Sequence, residues 1–369
     1  MARTMFAIEV LPAQQGDALW IEYGPRDRPH RFLVDGGTSP TAQVVRARIE
    51  RLPKTERDLE LLVVTHIDTD HIGGVLRLLS DPDLKVRFAD VWFNAWRHLP
   101  TSPDQPLGPI DGEILDQLLV AGSNGRTPAW NGAFDGRAVA IQDDDPPPSR
   151  TLPGGMRLTV LAPGRTQLER LRREWTSVIR DTEISDAERA ALIATGARRR
   201  GVDLPLGAQI NVAVEAGRKF VEDDKPANGS SIVLLAEFEG RSALLTGDGF
   251  PTVIESGVRR LLAERGAERL RVDALKLPHH GSANNTNRGL MELVAARHIL
   301  VSSSGAIFDH PDPEAIARVL EVGGGNVELA FNYRTARTNV WDDPVLQAAP
   351  DTGYTAVYGT PDEGIRVEL

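Results

Sequence analysis

Thr65-His66-Ile67-Asp68-Thr69-Asp70-His71-Ile72-Gly73-Gly74 places four potential metal donors within six residues, in the spacing H-x-D-x-D-H. The segment leaves a largely apolar run, Leu59–Val64, broken only by Glu60, which reads as a strand buried on both faces. It then enters a helical pattern over His71–Leu79. A loop leaving a strand end can aim alternate residues at one spot, so His66 and Asp68 can converge. Asp70 and His71, at the helix start, can converge on a neighbouring spot. Two donor pairs that close describe a dinuclear metal site. Gly73 and Gly74 leave room for an anion at the helix N-terminus. The structural alternative, Asp70 as a helix cap with the histidines on a surface loop, accounts for only one of the four donors.

Three further segments end apparent strands with metal-competent or proton-transferring side chains. Ala243–Gly249 runs into Thr-Gly-Asp248, where the carboxylate is either a turn residue or a ligand. Leu275–Ser282 ends in Pro-His279-His280-Gly-Ser282, and paired histidines after a strand are seldom a core feature. Phe308-Asp309-His310-Pro311 holds a loop histidine with or without a role. Five of the eight histidines fall in these segments; His30, His98 and His298 do not and are assigned no role.

The elements that must position these groups follow from composition and pattern. The chain has 369 residues, a formal net charge of −10, 41% hydrophobic residues and no cysteine. That content supports a packed core and excludes disulfides, thiolate zinc sites, iron–sulfur clusters and a cysteine nucleophile. No apolar run reaches the ~18–20 residues of a membrane span, and the N-terminus reads as neither a signal nor a transit peptide. A soluble cytoplasmic protein is expected, and the acidic balance argues against non-specific coating of nucleic acid. Strands are expected at Phe6–Leu11, Ala18–Tyr23, Arg31–Asp35, Leu59–Val64, Val91–Asn94, Met156–Leu161, Ser231–Phe238, Ser242–Leu245, Val272–Leu277, His298–Ser302, Val327–Asn332 and Thr355–Tyr358. Helices are expected at Ser39–Leu52, His71–Leu79, Ile114–Val120, Pro251–Arg265, Thr286–Ala296 and Pro313–Val322. Two insertions interrupt the pattern, a loop-rich one at about 97–155 and a charged helical arm at about 165–228, whose second helix starts at the capping box Ser185-Asp-Ala-Glu188. The arm reads either as a solvated hairpin or as a lid. The aromatic and polar tail, Phe331 to Asp343, reads as packing or as one wall of a pocket. The whole is expected to be a single layered α/β domain over 1–369.

The order of Gln15-Gly-Asp17, Leu33-Val-Asp35-Gly-Gly37, the His66–Gly74 segment, Leu245-Thr-Gly-Asp248, Leu277-Pro-His-His-Gly-Ser282 and Asp309-His-Pro311 resembles the metallo-β-lactamase superfamily. Specifically, it is similar to the hydrolase domain of the ComEC competence proteins and their stand-alone soluble relatives. The resemblance spans about Phe6 to Leu320 and implies a four-layer αββα metallo-β-lactamase-like sandwich, with a helical insertion and two metals at one edge. Two departures stand out. Asp68 replaces the second histidine of the superfamily's H-x-H-x-D-H. A further histidine, expected before the strand that precedes Thr-Gly-Asp, is replaced by Ala227-Asn228-Gly-Ser230-Ser231. One metal position is therefore poorer in imidazole than a lactamase zinc site.

The resemblance implies His66, Asp68, Asp70, His71, Asp248 and His279 as metal ligands. Three carboxylates and a bridging hydroxide balance two divalent cations. The oxygen-rich set suits manganese, with magnesium possible, and zinc also accepts carboxylates. The implied chemistry is metal-assisted hydrolysis, with Asp248 bridging cations about 3.5–4 Å apart that share the hydroxide. Asp70 accepts a proton from the nucleophile. His280 and His310 lie outside the ligand shell, as donors to substrate oxygens or as general acid. The substrate expected is a phosphodiester, as DNA, RNA or a nucleotide, contacted by Gly73, Gly74, Ser282, Asn284 and Asn285. Arginines of the charged arm (Arg170, Arg172, Arg173, Arg198, Arg199, Arg200) add positive charge or form a solvated face. The alternatives are an ester, lactone or amide hydrolase with the same activated water, and a non-catalytic metal-bearing binding module.

Overall fold

A computed structural model describes residues 4–100, 110–121, 128–142, 145–182 and 210–369. Its strands form two sheets. The 7-stranded sheet has the order β15-β1-β2-β3-β4-β5-β6: β1 Thr4–Val10, β2 Leu19–Pro25, β3 His30–Val34, β4 Asp58–Val63, β5 Arg87–Trp92, β6 Ala129–Trp130 and β15 Ile365–Glu368. The 8-stranded sheet has the order β14-β13-β12-β11-β10-β9-β8-β7: β7 Ser149–Thr151, β8 Arg157–Ala162, β9 Val233–Phe238, β10 Arg241–Leu245, β11 Leu270–Lys276, β12 Val294–Val301, β13 Val327–Phe331 and β14 Tyr354–Tyr358. Pairing is parallel from β3 to β6 and from β10 to β14, and antiparallel elsewhere.

Strand alternation sets the layers. In β4, Leu61 and Val63 face the second sheet, while Leu62, and Val64 just beyond the strand, face helices. A strand buried on both faces must be apolar at every position near its centre, which is why Leu61–Val64 is continuous in sequence, while Glu60 lies nearer the strand's start. The layer between the sheets is built from such residues as Phe6, Ile8, Trp92, Leu158, Leu234 and Leu300. The helices Ala42–Glu50, Thr69–Leu79 and Ile110–Ala121 cover the first sheet with Ile49, Ile72, Val75, Leu115 and Leu119. The helices Pro251–Arg265, Arg288–Leu293 and Pro313–Gly323 cover the second with Ile254, Leu261, Leu290, Ile316 and Leu320. The result is a four-layer αββα sandwich of the metallo-β-lactamase type. Among the described residues no helix is long and apolar enough to cross a membrane.

Several elements differ from expectation. The helix expected from His71 begins at Thr69, so Asp70 and His71 lie in its first turn. The helix expected over Thr286–Ala296 stops at Leu293, because Val294–Ala296 pair with Leu270–Val272 as the start of β12. The closing strand β15 was not expected; it pairs with β1 and joins the two chain ends in one sheet. The described ends of the 165–228 segment are core elements rather than a solvated arm. Leu168 and Leu171 are buried against the first sheet, and Ile210, Val212 and Ala216 against the second. The helix expected after Ser185, and Arg198 to Arg200, lie outside the described residues. The tail is packing: Trp341 is fully buried in the core of the second sheet.

A charged network fastens the first sheet to its helix. The Glu22 carboxylate accepts from Arg31 Nε at 2.9 Å, Arg48 Nη2 at 3.1 Å and Arg366 Nη1 at 3.0 Å. Arg48 also binds Glu9 at 2.7 Å and lies 4.7 Å from the centre of the Trp20 ring. These residues come from β1, β2, β3, β15 and the helix Ala42–Glu50. Burial alone would push the Glu22 carboxyl up, but the Arg31 hydrogen bond, the Arg48 charge and the Arg366 hydrogen bond bring it down from 4.5 to about 2. A depressed carboxyl stabilises the fold fully above its unfolded value, and that contribution is lost as pH falls toward the folded value. Glu22→Gln is therefore expected to cost about 1.5–3 kcal/mol at neutral pH. The gap in urea midpoint between wild type and variant should narrow as pH falls from 4.5 toward about 2; a gap independent of pH would contradict this account.

Candidate metal centre

Parallel strands bring side chains distant in sequence to one edge, since all their carboxyl ends lie together. Asp35 follows β3, His66 follows β4, Asp248 follows β10, His279 and His280 follow β11, and Ser302 follows β12. The Gln15-Gly16-Asp17 turn closes over this edge. Gly16 packs so tightly that an added Cβ would sit 1.7 Å from the Asp70 carbonyl oxygen.

Asp248, 2% exposed, is the hub. Its carboxylate oxygens lie 3.2 Å from His71 Nε2, 3.5 Å from His280 Nε2, 3.6 Å from His279 Nε2 and 3.9 Å from His66 Nε2. Asp68 Oδ2 is 3.8 Å from His66 Nε2, and Asp70 Oδ2 is 3.6 Å from His280 Nε2. Donor atoms of Asp17, His71, Asp248 and His280 all lie within 4.8 Å of one another.

The opposite nitrogen of each imidazole is committed to the protein. His71 Nδ1 donates to Asp35 Oδ2 at 2.8 Å, His280 Nδ1 to the Ser302 carbonyl at 3.0 Å and His279 Nδ1 to Asn285 Oδ1 at 2.8 Å. For His66 the partner is the Thr65 hydroxyl at 3.0 Å. That hydroxyl already gives its proton to Asp35 at 2.7 Å, so it accepts from His66 Nδ1. All four rings are thereby held with an Nε2 lone pair available toward Asp248. Outward Nδ1–H bonds to carboxylate, carbonyl or amide are the supporting shell of metal-bound histidines.

Charge is concentrated here. Burial lowers His66 to about 4, and His71 adds to the effect. Burial acts the same way on His71 and His280, but without a cation Asp248, with Asp35 or Asp17, outweighs it and holds both well above the usual histidine value; a cation at Nε2 would take the place of that proton. Burial and the neighbouring Asp70 charge raise Asp68 to about 7. The Asp248 carboxyl is held well below the usual range, against its burial, by His71, His280 and His279.

The donor set fits divalent cations. His66 Nε2, His71 Nε2, His280 Nε2, Asp248 Oδ1 and Asp17 Oδ1 are all buried and find no hydrogen-bond partner in the protein. One such atom costs about 1–3 kcal/mol, and a cluster of lone pairs aimed at one place is satisfied by cations rather than by further donors. Mixed imidazole and carboxylate ligands suit zinc or manganese.

The turn Pro278–Gly281 explains how two consecutive histidines reach the same carboxylate. His279 and His280 have φ of 48° and 57°, a left-handed conformation rare for side-chain-bearing residues. Such strain persists where surrounding structure enforces it. His280 is the more deeply enclosed, at 1% exposed, and it meets Asp17 and Asp70 as well as Asp248. It therefore sits inside the donor cluster and not outside it, as the resemblance implied, while His279 faces the cluster from a more open side. His310 lies at the rim, its ring centre 5.4 Å from that of His279 and its Nδ1 3.4 Å from Asp312.

The expected substrate contacts are placed differently. Gly73 and Gly74 do not line an anion cradle. They pack against the 36–39 turn, and a Cβ on Gly74 would lie 1.9 Å from the Gly36 carbonyl oxygen. Asn285 is fully buried and orients His279; its amide donates to Asp223 and to the Asp248 carbonyl, both at 3.1 Å. Ser282 is a buried turn residue whose hydroxyl accepts from the Asn284 amide at 3.2 Å. Of this group, only Asn284 is exposed.

Sequence reasoning gave no role to Asp17, Asp35, Asp223 or Lys276. Lys276 is fully buried, with Nζ 2.5 Å from Asp17 Oδ2. A lysine inside the apolar strand Ala274–Leu277 was the available signal. Asp223 accepts from Asn228 at 2.6 Å and from Asn285, and nothing in its loop sequence marks it. Burial would raise Asp17, but Lys276 and His280 hold it well below the usual carboxylate range. Lys276→Met strands that buried carboxylate and is expected to cost about 3–5 kcal/mol in chemical denaturation of the metal-free protein. Adding Asp17→Asn should recover part of the loss; strictly additive losses would show the two residues are not coupled.

Comparison with functionally curated proteins gave no match. Among solved structures the chain is similar to the metallo-β-lactamase fold protein YhfI from Bacillus subtilis, at 10% identity and TM-score 0.43 over the whole of both chains. It is also similar to CmlA, a diiron β-hydroxylase from Streptomyces venezuelae, at 15% identity and TM-score 0.42, covering 100% of this chain and 54% of that one. A third is the MIM-2 metallo-β-lactamase, at 14% identity and TM-score 0.30, covering 74% and 75% of the two chains. The chain thus spans about half the length of CmlA. Residues 13–164, which carry Asp17, Asp35 and the whole His66–His71 segment, match the family model of the metallo-β-lactamase superfamily.

Proposed function

We propose that the protein is a metal-dependent phosphodiesterase of the ComEC-like kind, acting on nucleic acids or nucleotides at a dinuclear site. The observation that carries the reading is the division of donors about Asp248. One of its oxygens meets His66, itself beside Asp68, and His280, itself beside Asp70, with His71 against its second oxygen. These residues, with His279, would hold two divalent cations, manganese or zinc. The cations would supply an acidified water and positive charge opposite the phosphate oxygens.

The chain's own groups do the rest. Asp248, fixed by its backbone N–H on the Ser231 hydroxyl at 3.2 Å, holds the two halves of the donor set together. Asp70 Oδ2 accepts the proton of the attacking water. His310, only partly covered and outside the cluster, gives a proton to the leaving oxygen, with Asp312 orienting its ring. His280 is too deeply enclosed for that task.

A basic cavity supports a polyanionic substrate. It measures about 750 Å³ and is lined by Arg137, Arg150, Arg165, Arg172 and Arg173, with Asp145 and Glu169 as its acids among the described residues. Arg172 lies 4.1 Å from the centre of the Trp96 ring, and its Nε is buried without a partner. In a chain of net charge −10 this is a local reversal of sign, and aromatic–arginine surfaces suit single strands.

Metal-loaded protein is expected to cleave bis-p-nitrophenyl phosphate, single-stranded DNA, duplex DNA or RNA. Asp248→Asn should abolish activity and lower bound metal. His310→Ala should lower kcat by about 10²–10⁴ with metal content unchanged. Arg172→Ala with Arg173→Ala should raise KM for DNA and not for bis-p-nitrophenyl phosphate. All four phosphodiesters intact, with an ester or lactone cleaved, would replace this reading by the acyl-hydrolase alternative.

A further inference from the structure

The second sheet has chemistry at both ends. The carboxyl ends of β10 to β12 carry the metal centre. The amino ends of β11 to β14 floor a cavity of about 900 Å³. None of Asp17, His66, Asp68, Asp70, His71, Asp248, His279 and His280 lines it, so the cavity is distinct from the metal centre.

Its floor is apolar, formed by Val272, Met291, Val294, Val327 and Tyr354. Its walls carry three guanidinium groups, Arg269, Arg271 and Arg297. Among the described residues none of the three lies within salt-bridge distance of a carboxylate. Other arginines are paired: Arg265 binds Glu237, Arg288 binds Glu292 and Glu321, and Arg366 binds Glu9 and Glu22. Arg269 donates once, from Nη2 to the Met291 carbonyl at 3.2 Å, and its Nε is buried without a partner. The one acid that lines the cavity, Glu328, is held by His298 Nδ1 at 2.9 Å.

Unpaired arginines in an acidic protein are free to bind an external anion. A guanidinium group matches carboxylate and phosphate geometry. The apolar floor adds a requirement that a bare inorganic ion does not meet. The volume lies within the roughly 300–1,000 Å³ of small-molecule sites. We propose that this cavity is a second ligand site, for an organic anion with an apolar body. Its carboxylate or phosphate head binds Arg269, Arg271 and Arg297, and its hydrocarbon part lies on Val272, Val294 and Tyr354.

The test is calorimetric titration of the full chain, free of metal, with decanoate, decyl phosphate, decanol and inorganic phosphate. Decanoate and decyl phosphate distinguish the two heads, decanol lacks the charge and inorganic phosphate lacks the tail. Saturable binding of decanoate or decyl phosphate, about tenfold or more tighter than decanol and phosphate, is expected. Arg271→Gln with Arg297→Gln, both exposed positions whose replacement leaves the core intact, should weaken it about tenfold or more. Arg172→Ala, in the other basic cavity, should leave it unchanged. The proposal is overturned if neither amphiphile binds saturably, if decanol binds as well, or if the double variant binds as the wild type does. Phosphodiesterase activity enters none of these readouts, so the two assignments stand or fall separately.

Discussion

The centre depends on one constraint: four imidazoles must keep Nε2 free of a proton and aimed at Asp248. A histidine ring in isolation has no reason to prefer that tautomer. The preference is imposed by what the other nitrogen touches, and here that is Asp35, Asn285, the Ser302 carbonyl, and a threonine hydroxyl whose own proton is committed. Three of these partners stand at or just beyond the ends of β3, β4 and β12. The sheet edge therefore supplies not only the candidate ligands but the acceptors that set their protonation, and the two parallel runs of the sandwich are what bring both to the same place.

The arrangement carries local costs, and the surrounding structure offsets them. His279 and His280 occupy left-handed backbone conformations, as Asp35 and Asp309 do in neighbouring loops. Lys276 is a charge with no exposure, tolerable only because Asp17 meets it. Such strain and buried charge cost of the order of a few kcal/mol each, and they are borne by two apolar layers and an inner core that contribute far more. The backbone of the Gln15–Asp17 turn, pressed against Asp70, and that of Gly36, pressed against Gly74, shows the same logic. Side-chain volume is given up where two loops must approach closely enough to fix carboxylates.

What could be read from residues alone divides along sequence distance. The H-x-D-x-D-H run was legible because its donors are neighbours, and the buried strands because a strand covered on both faces has no polar alternation to hide it. Asp17 with Lys276 was not legible as a pair, since 259 positions separate them and a lysine in an apolar strand marks itself but not its partner. Gly73 and Gly74 misled because a glycine that admits an anion and a glycine that admits another backbone look identical in a string. His279 and His280 misled for a different reason. Strand geometry makes adjacent side chains point apart, and two consecutive left-handed residues undo that rule. The short strand β15 carries too few residues for a pattern; its pairing with β1 and the Arg366 bonds to Glu9 and Glu22 reveal it.

The distribution of arginine follows from the same electrostatics. An acidic chain that gathers Asp17, Asp35, Asp68, Asp70, Asp223 and Asp248 around one edge would repel any phosphate from it without cations. Lys276 offers a single positive charge, and it faces Asp17 inside the protein rather than the substrate side. Most surface arginines are spent on local carboxylates, Arg26 on Glu368 and Arg46 on Glu50 and Asp81 among them. Among the described residues, two recesses gather arginines where carboxylates are scarce: the walls beside Arg172 and the amino ends of β11 and β12 beside Arg271 and Arg297. Attraction over the centre itself must come from bound metal. The carboxylates that make the edge hostile to an anion are the groups that would recruit the cations able to reverse its sign.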